Sequence, residues 1–331
     1  MRKLASIQKI KSLSDIPEAD NIQKATVLGW ELVVKKNEFE VGDFCVYCEI
    51  DSVMPDDNPA FEFLRNKNFR IKTIRLRGQV SQGICLPVSI LPQEIEIVED
   101  KEVTEILGIT KYDPPMPASL AGEMEGYFPT FIPKTDETRV QVLQELLDKY
   151  VGQIFYVTEK LDGTSVTYFI QDGEFGVCSR NYQIKESNTN TFWQVAHTLG
   201  IEQKLRALGG NWALQGELVG ENIQKNKYKL KGQQVFLFNI FNSDKFDYLD
   251  FEDFLAMAKK LEMKTVPILE TDYVLENNIR DLVEKSIGDS VLIKNVKREG
   301  IVLRPLQEKT ERTYGRVSFK AINPEFLLKY D

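Results

Sequence analysis

The segment Thr158-Glu-Lys-Leu-Asp-Gly-Thr164 combines a lysine, an aspartate and a glycine within four positions. The residues before Lys160 favour a strand, and Asp162-Gly163 predicts a sharp turn directly after it. A lysine at the rigid end of a strand, with its stem packed, is expected to have its ammonium pKa lowered from about 10.4 toward neutrality. Such an amine is a nucleophile that can attack phosphorus. The alternative is a hairpin turn that carries a solvated lysine.

Five further segments with charged or aromatic residues follow Lys160 in order along the chain. They are Ser179-Arg-Asn181, Gln215-Gly-Glu-Leu-Val-Gly220, Val235-Phe-Leu-Phe238, Arg298-Glu-Gly-Ile-Val302 and Ser318-Phe-Lys320. A K-x-D-G tetrapeptide alone is expected by chance in on the order of one chain in ten of this size. The complete ordered series is not expected by chance.

This series resembles the motifs of the covalent nucleotidyltransferase superfamily, which comprises ATP-dependent RNA ligases, DNA ligases and mRNA capping enzymes. Within it, the chain is most similar to RNA ligases with an N-terminal OB domain, the fifth RNA ligase family. The resemblance extends over nearly the whole chain, including Gly29-Trp30, Gly42-Asp43, Arg75–Gly83, Thr104–Thr110, Phe128–Phe131 and Lys134–Asp136. DNA ligases and capping enzymes place an OB domain after the last lysine motif, whereas only 11 residues follow Lys320 here.

The resemblance implies a role for each nucleotide-binding residue. Lys160 is expected to take AMP from ATP as a lysyl-adenylate and to release pyrophosphate. Arg180 and Glu217 are expected to hold the ribose, with a structural ion pair between them as the alternative. Phe238 is expected to stack on adenine, in preference to Phe236, which alternation places on the same face of the strand and which a core position would also explain.

The resemblance also implies how the phosphates and a metal are held. Asp162 and Glu299 are expected to orient a hydrated Mg²⁺ or Mn²⁺ near the α-phosphate, since both metals prefer oxygen ligands. Lys320 is expected to contact that phosphate, and Arg139 to grip the outgoing phosphates. The predicted catalytic residues are Lys160, Glu217, Glu299 and Lys320. One departure from many RNA ligases is Asn239, which stands where they have an aspartate after the aromatic residue.

Three segments are predicted to position these residues, in an α+β fold. Residues 1–110 alternate short β-branched and aromatic runs with turns, which predicts an OB-type β-barrel that binds RNA. Residues 111–133 contain five prolines and are predicted to be a linker. Residues 134–331 are predicted to form an α+β nucleotidyltransferase domain, similar to ATP-grasp ligases. Within it, Asp136 predicts the start of a helix that runs to Lys149, and Asp172-Gly173 predicts a hairpin.

The net charge of −8 means that RNA has to be held by local basic patches. One patch is the window Arg65–Arg77, with six basic and no acidic residues, and another is Lys225–Lys231, with four lysines. The alternative is that neither patch binds RNA. A charged strand face in the first window and a solvated loop in the second would have the same composition. OB domains also stack bases on aromatic side chains, for which Trp30, Tyr47 and Phe69 are candidates.

The composition excludes several other classes of protein. A single histidine, His197, excludes a site with two or more imidazole ligands, and neither a P-loop nor a G-x-G-x-x-G motif occurs. Four cysteines are too few for a disulfide scaffold and indicate a reducing, cytoplasmic compartment. The sequence has no apolar stretch suited to a signal peptide or a membrane span, and we expect a monomer.

We therefore predict an ATP-dependent RNA ligase that seals 3′-OH and 5′-phosphate ends through lysyl-AMP and RNA-adenylate intermediates. Its expected partner is RNA, as a nicked duplex, as single-strand ends, or as the 3′-OH strand of a mixed duplex. Two alternatives stay open. One is a non-catalytic module that binds RNA and senses nucleotide, and the other is a DNA ligase of the same superfamily.

Overall fold

The computed structural model of the chain describes residues 3–113 and 123–330. The chain divides into two units, residues 1–115 with 324–331 and residues 116–323. Strands and helices are mixed in the chain, which confirms the predicted α+β class. Among the described residues, no helix is both long and apolar enough to cross a membrane.

The first unit is built mainly of short antiparallel strands. They are β1 (Ala5–Lys9), β2 (Ser12–Asp15), β3 (Ile22–Val27), β4 (Trp30–Lys35), β5 (Phe44–Cys48), β6 (Ser52–Val53), β7 (Ile74–Leu76), β8 (Gln79–Ser81), β9 (Ile84–Pro87) and β10 (Thr110–Lys111). The sheets run in the orders β1-β5-β9, β2-β3-β4, β7-β8 and β10-β6. A 3₁₀ helix covers Pro59–Lys67, and the C-terminal helix Pro324–Tyr330 belongs to this unit.

The core of the first unit is set by alternation along its strands. In β4, Trp30, Leu32 and Val34 are buried while the residues between them are not. Trp30 and Tyr47 are 0% and 1% exposed, so the prediction that they stack on RNA bases was wrong. Both rings fill the barrel interior, where their burial stabilises the fold.

The second unit contains longer strands and most of the helices. Its strands are β11 (Met124–Tyr127), β12 (Thr138–Arg139), β13 (Ile154–Lys160), β14 (Thr164–Gln171), β15 (Glu174–Cys178), β16 (Tyr182–Ile184), β17 (Trp212–Gly220), β18 (Gln233–Asn242), β19 (Asp247–Tyr248), β20 (Lys264–Thr265), β21 (Ile268–Val274), β22 (Gly300–Pro305), β23 (Thr310–Glu311), β24 (Gly315–Arg316) and β25 (Phe319–Ile322). Its helices are α1 (Gln144–Tyr150), α2 (Thr191–Thr198), α3 (Ile201–Leu208), α4 (Phe251–Lys260) and α5 (Ile279–Ser286). The C-terminal helix of the first unit, Pro324–Tyr330, is α6.

Two sheets form the frame of the second unit. One runs in the order β11-β16-β15-β14-β17-β18-β19, with β20 beside β18, and the other in the order β12-β25-β22-β13-β21. The apolar faces of α2, α3 and α4 pack on the first sheet, and those of α1 and α5 pack on the second. Strand β13 of one sheet leads through Leu161–Gly163 into β14 of the other, so the K-x-D-G turn joins the two sheets.

Local predictions had mixed outcomes. The Asp172-Gly173 hairpin is confirmed, with φ values of 51° and 86° at its two turn residues. The helix predicted to start at Asp136 begins only at Gln144, because Thr138–Arg139 pair with β25 as a strand. The segment predicted to be a linker contains β11, which pairs with β16. Pro114, Pro115 and Pro117 of that segment lie outside the described residues.

Candidate active site

Neighbouring strands place the predicted site residues side by side. In the second sheet, Arg139 on β12 pairs with Lys320 on β25, β25 pairs with β22, and Gly300 of β22 pairs with Lys160. In the first sheet, Glu217 on β17 lies opposite Ser165 of β14. Phe238 lies on β18, the neighbour of β17. The ordered motifs are therefore strands that are adjacent in space.

Lys160 ends β13 and its Nζ atom lies 2.7 Å from the Glu299 Oε2 atom. Burial lowers the pKa of the Lys160 ammonium, but the negative charges of Glu299, Glu217 and Asp162 outweigh burial and raise it above its ordinary value. The prediction of a lowered pKa was therefore wrong for this state of the site. The reason is that Glu217 and Glu299, from distant parts of the sequence, join Asp162 around this amine.

Gly163 of the K-x-D-G motif allows a close approach between the turn and β17. A Cβ atom at this position would lie 2.3 Å from the carbonyl oxygen of Leu218 and 2.6 Å from Cγ1 of Val219. The Gly163 N–H donates a 2.9 Å hydrogen bond to Oε1 of Glu217. The glycine thus brings the K-x-D-G turn and β17 together.

Glu217 has an unusual carboxyl group. Burial and the neighbouring Glu299 and Asp162 charges raise its pKa to about 8, although Lys160 and the Gly163 N–H act in the opposite direction. The pKa of Asp162 is also raised, first by burial and then by Glu299. Three carboxyl groups therefore lie close together around the Lys160 amine, and burial and mutual repulsion disfavour the ionised forms of Glu217 and Asp162.

These carboxyl oxygens are groups that a hydrated divalent cation prefers. Among the described residues, no three His, Cys, Asp or Glu side chains are grouped so that they could hold a metal ion directly. Asp162 and Glu299 instead contact ammonium groups, those of Lys227 and Lys160. A Mg²⁺ ion that keeps several waters and is held through them suits such carboxylates.

Lys320 and Arg139 form the cationic side of the site. Burial, followed by the positive charges of Lys160 and Arg139, lowers the pKa of Lys320 to about 7. An anion beside Lys320 would reverse this shift, because it favours the ammonium form. The two strands therefore present positive charge next to Lys160, where phosphate oxygens can be stabilised.

Phe236 and Phe238 belong to the same apolar cluster, in which Phe236 is buried and Phe238 is partly exposed. A β-bulge interrupts the pairing of β17 and β18 here, since Gln215 pairs with Asn239 and Gly216 with Leu237. Phe238 is thus the extra residue, and its exposure makes it the more accessible ring of the two for stacking.

Asn239 is 3% exposed and uses both ends of its amide. Its Nδ2 donates to Gln215 Oε1 at 3.1 Å, and its Oδ1 accepts from Arg316 Nη1 at 2.9 Å. Gln215 in turn donates to the Pro133 carbonyl oxygen at 2.8 Å. A neutral amide satisfies this chain of bonds, because it donates at one end and accepts at the other.

Arg180 follows β15 and is half-exposed. Its Nη2 atom lies 2.6 Å from Oδ1 of Asp136, and no ion pair with Glu217 is found in the described part of the chain. The predicted alternative of a structural pair between Arg180 and Glu217 was therefore wrong. Asp136 pairs with this arginine instead of capping a helix.

Sequence reasoning missed three residues that contact the site. Tyr228 accepts a 2.7 Å hydrogen bond from the Asp162 N–H, and Lys227 contacts the Asp162 carboxylate. Arg304, 3% exposed, donates to the Phe238 carbonyl oxygen. The signal for Arg304 was a lone arginine within the apolar strand Gly300–Pro305.

The basic window Arg65–Arg77 is only partly available for RNA. Arg65 pairs with Glu62, and Arg70 pairs with Asp51 at 3.1 Å. Lys67, Arg75 and Arg77 are exposed, and Phe69 is partly buried beneath Arg65. RNA contact by this window stays a prediction.

An α+β unit in which a K-x-D-G lysine meets strands carrying arginine, glutamate, aromatic and lysine residues is typical of the covalent nucleotidyltransferases. Two family models match the chain. Residues 4–88 match an OB-fold domain, and residues 153–322 match RNA ligase. The chain belongs to the RNA ligase family. The first match confirms the predicted OB domain, and the second confirms the predicted ligase family.

Solved structures of a Naegleria gruberi RNA ligase are similar over the full length. The ligase with PPi is 41% identical with a TM-score of 0.91, and the match covers 100% of this chain and 99% of that chain. Mutants of that ligase, one with ATP and Mn and one with AMP and Mn, have the same identity and TM-score and cover 99% of both chains. No curated protein matches the chain.

Proposed function

We propose that this protein is an ATP-dependent RNA ligase that joins a 3′-OH to a 5′-phosphate. The observation that carries the proposal is the position of the Lys160 amine. It lies beside the carboxyl groups of Glu299, Glu217 and Asp162 and beside Lys320, which in turn neighbours Arg139, within a chain of the RNA ligase family. This is the arrangement that phosphoryl transfer to an amine needs, because charge develops on phosphate oxygens in the transition state.

The reaction proceeds in three substitutions at phosphorus, of which the first two transfer AMP and the third releases it. The Lys160 ammonium first loses a proton to solvent. The resulting amine attacks the α-phosphorus of ATP, the bond to the bridging oxygen breaks, and pyrophosphate leaves. The RNA 5′-phosphate then attacks the same phosphorus and displaces Lys160, which gives an RNA-adenylate. The 3′-OH finally attacks the 5′-phosphorus and AMP leaves.

The other residues position the nucleotide. Arg180 and Glu217 hold the ribose, Phe238 stacks on adenine, Lys320 contacts the α-phosphate, and Arg139 binds the departing phosphates. Asp162 and Glu299 would hold hydrated Mg²⁺ or Mn²⁺, whose positive charge would stabilise the phosphate oxygens. The same charge would offset that of the carboxylates and lower the pKa of Lys160, which favours the amine. The Naegleria gruberi structures with ATP, AMP and Mn support these cofactors.

The first step is tested without RNA. Incubation with ATP labelled at the α-phosphate and with Mg²⁺ or Mn²⁺ should leave AMP on the wild-type chain, through a bond that is stable in alkali and labile in acid, and none on Lys160→Ala. Tryptic mass spectrometry should place the AMP on the peptide that contains Lys160. Absence of label over a range of metals and pH values would overturn the proposal and favour a non-catalytic RNA-binding module.

The substrate is tested with nicked duplexes that differ only in the sugar at the ends. We expect sealing when the 3′-OH strand ends in ribonucleotides, on an RNA or a mixed duplex. Equal sealing of all-DNA nicks would support the DNA ligase alternative. Single-stranded RNA with the same ends separates nick sealing from the joining of free ends.

A further inference from the structure

The loop that joins β17 to β18, residues 221–232, has an outer and an inner face. Its outer side chains, Lys225, Lys229 and Lys231, are exposed to solvent. Lys227 and Tyr228 point inward, toward the K-x-D-G turn. The Lys227 Nζ atom contacts Oδ2 of Asp162, and the Tyr228 hydroxyl accepts a 2.7 Å hydrogen bond from the Asp162 N–H. The lysine segment is therefore more than a solvated basic loop.

The loop holds its shape against the preference of its own backbone. Five residues other than glycine, Asn222, Gln224, Lys225, Asn226 and Lys229, have φ values between 44° and 65°. Asparagine tolerates this left-handed conformation, but it is unfavourable for Gln224, Lys225 and Lys229, where surrounding contacts have to fix it. The Asn226 amide supplies two of them, a 3.0 Å bond from the Leu230 N–H and a 2.9 Å bond to the Leu230 carbonyl oxygen.

Tyr228 anchors the loop. The ring is 4% exposed and packs in an apolar cluster with Leu161, Val219 and Phe236. Because the ring is buried and the hydroxyl bonds the turn, Tyr228 fixes the adjacent Lys227 next to Asp162.

The contact between Lys227 and Asp162 has an electrostatic consequence. The two side chains are 14% and 17% exposed, so water screens their attraction only weakly. The proposed function assigns the same Asp162 carboxylate to a divalent cation. Two cations cannot share one carboxylate oxygen without strong repulsion, so the ammonium and the metal compete.

We propose that Lys227 is a built-in counter-ion of Asp162, which occupies this carboxylate when no divalent cation is bound and weakens metal binding there. Tyr228 is the anchor that presents Lys227. Lys227 is thus a positioning residue that sets the metal concentration at which the site becomes ready for nucleotide. The inference rests on the proposed function, which places the metal at Asp162.

The test measures Mn²⁺ binding directly, by the electron paramagnetic resonance signal of free Mn²⁺, on protein stripped of AMP with pyrophosphate and of metal with a chelator. Lys227→Met should bind Mn²⁺ at least about fivefold more tightly than wild type. Lys225→Met is the matched control, because it removes the same charge from the outer face of the same loop. This variant and Lys227→Arg, which keeps a cation, should bind as wild type.

Tighter binding by Lys227→Met alone supports the inference. Binding no tighter than that of wild type or of Lys225→Met overturns it. If Lys227→Met does not fold, as judged by circular dichroism, Lys227→Gln provides the same comparison. A wild-type protein that forms no lysyl-AMP with Mn²⁺ would instead refute the proposed function, whatever the Mn²⁺ affinities, so the two failures are distinguishable.

Discussion

Arg304 donates a 2.8 Å hydrogen bond from Nη1 to the backbone carbonyl oxygen of Phe238, at the β-bulge of β18. The same guanidinium donates at 2.8 Å to Ser318, two residues before Lys320, and at 2.8 Å to Glu137, two residues before Arg139. One buried side chain therefore holds three of the strands that carry proposed nucleotide-binding residues. The planar fork of arginine makes this geometry possible, and a lysine cannot reproduce it.

Arg304→Lys should keep the charge but lose most of these bonds. We expect the free energy of unfolding to fall by about 2 kcal/mol or more, because buried acceptors lose their partners. We also expect the KM for ATP in lysyl-AMP formation to rise about three- to tenfold, since Phe238 is no longer fixed. Urea denaturation and the ATP dependence of labelling measure the two effects. Arg280→Lys, on an exposed helix face, should change neither. Equal stability of the two variants would contradict the role of Arg304.

Glu217→Gln should change how stability depends on pH. The folded pKa of about 8 lies above the ordinary value of 4.5, so between these pH values the folded protein retains a proton that the unfolded chain has released. Stability from this group is thus fully present below pH 4.5 and is lost as pH rises through about 8. The loss is at most about 1.4 kcal/mol per pH unit.

Urea midpoints of metal-free protein from pH 5 to pH 8 measure this dependence. They should fall more steeply for wild type than for Glu217→Gln, which cannot ionise. Glu252→Gln, at an exposed position, should follow wild type. Parallel curves for wild type and Glu217→Gln would show that the carboxyl is not protonated in the folded state.

Lys320 should take up a proton when nucleotide binds. Its pKa of about 7 leaves the amine mostly neutral at pH 8, and a phosphate beside it favours the ammonium form. Calorimetry of α,β-methylene ATP binding in buffers of different ionisation enthalpy should therefore report uptake of most of one proton at pH 8 and little at pH 6. Lys320→Met should abolish the uptake, and Lys259→Met, at an exposed site on α4, should preserve it. Buffer-independent heats in wild type at pH 8 would argue against contact with phosphate.

Gly163→Ala should displace the K-x-D-G turn from β17 and slow the formation of lysyl-AMP. The new Cβ atom would lie 2.3 Å from the Leu218 carbonyl oxygen, and backbone cannot move aside as a flexible side chain can. We expect a loss of about 1–3 kcal/mol in stability and at least about a 100-fold slower formation of lysyl-AMP, since small displacements at a reacting group are costly. The control is Gly126→Ala, where the Cβ atom would enter open space. Single-turnover labelling measures the rates, and equal rates for both variants would contradict the steric argument.

The sequence by itself indicated the order of the motifs, the end of β13 at Lys160, and strands such as β4 in the first unit. These features are local, because alternation in β4 and the glycine of the K-x-D-G turn depend on neighbours in the chain. The K-x-D-G motif and the ordered series after it also sufficed to propose Lys160 as the nucleophile. Local patterns failed where a distant strand competed, as at Thr138–Arg139, which pairs with β25 instead of starting a helix.

Only the tertiary structure decided the electrostatics of the site. Lys160 and Glu299 are 139 residues apart in sequence and 2.7 Å apart in space, which reverses the pKa shift expected of a buried lysine. Lys227 reaches Asp162 from 65 residues away and turns from a solvated basic residue into the partner of a site carboxylate. Charge–charge energies depend on distance and on exclusion of water, and both are fixed only when the two sheets meet at the K-x-D-G turn.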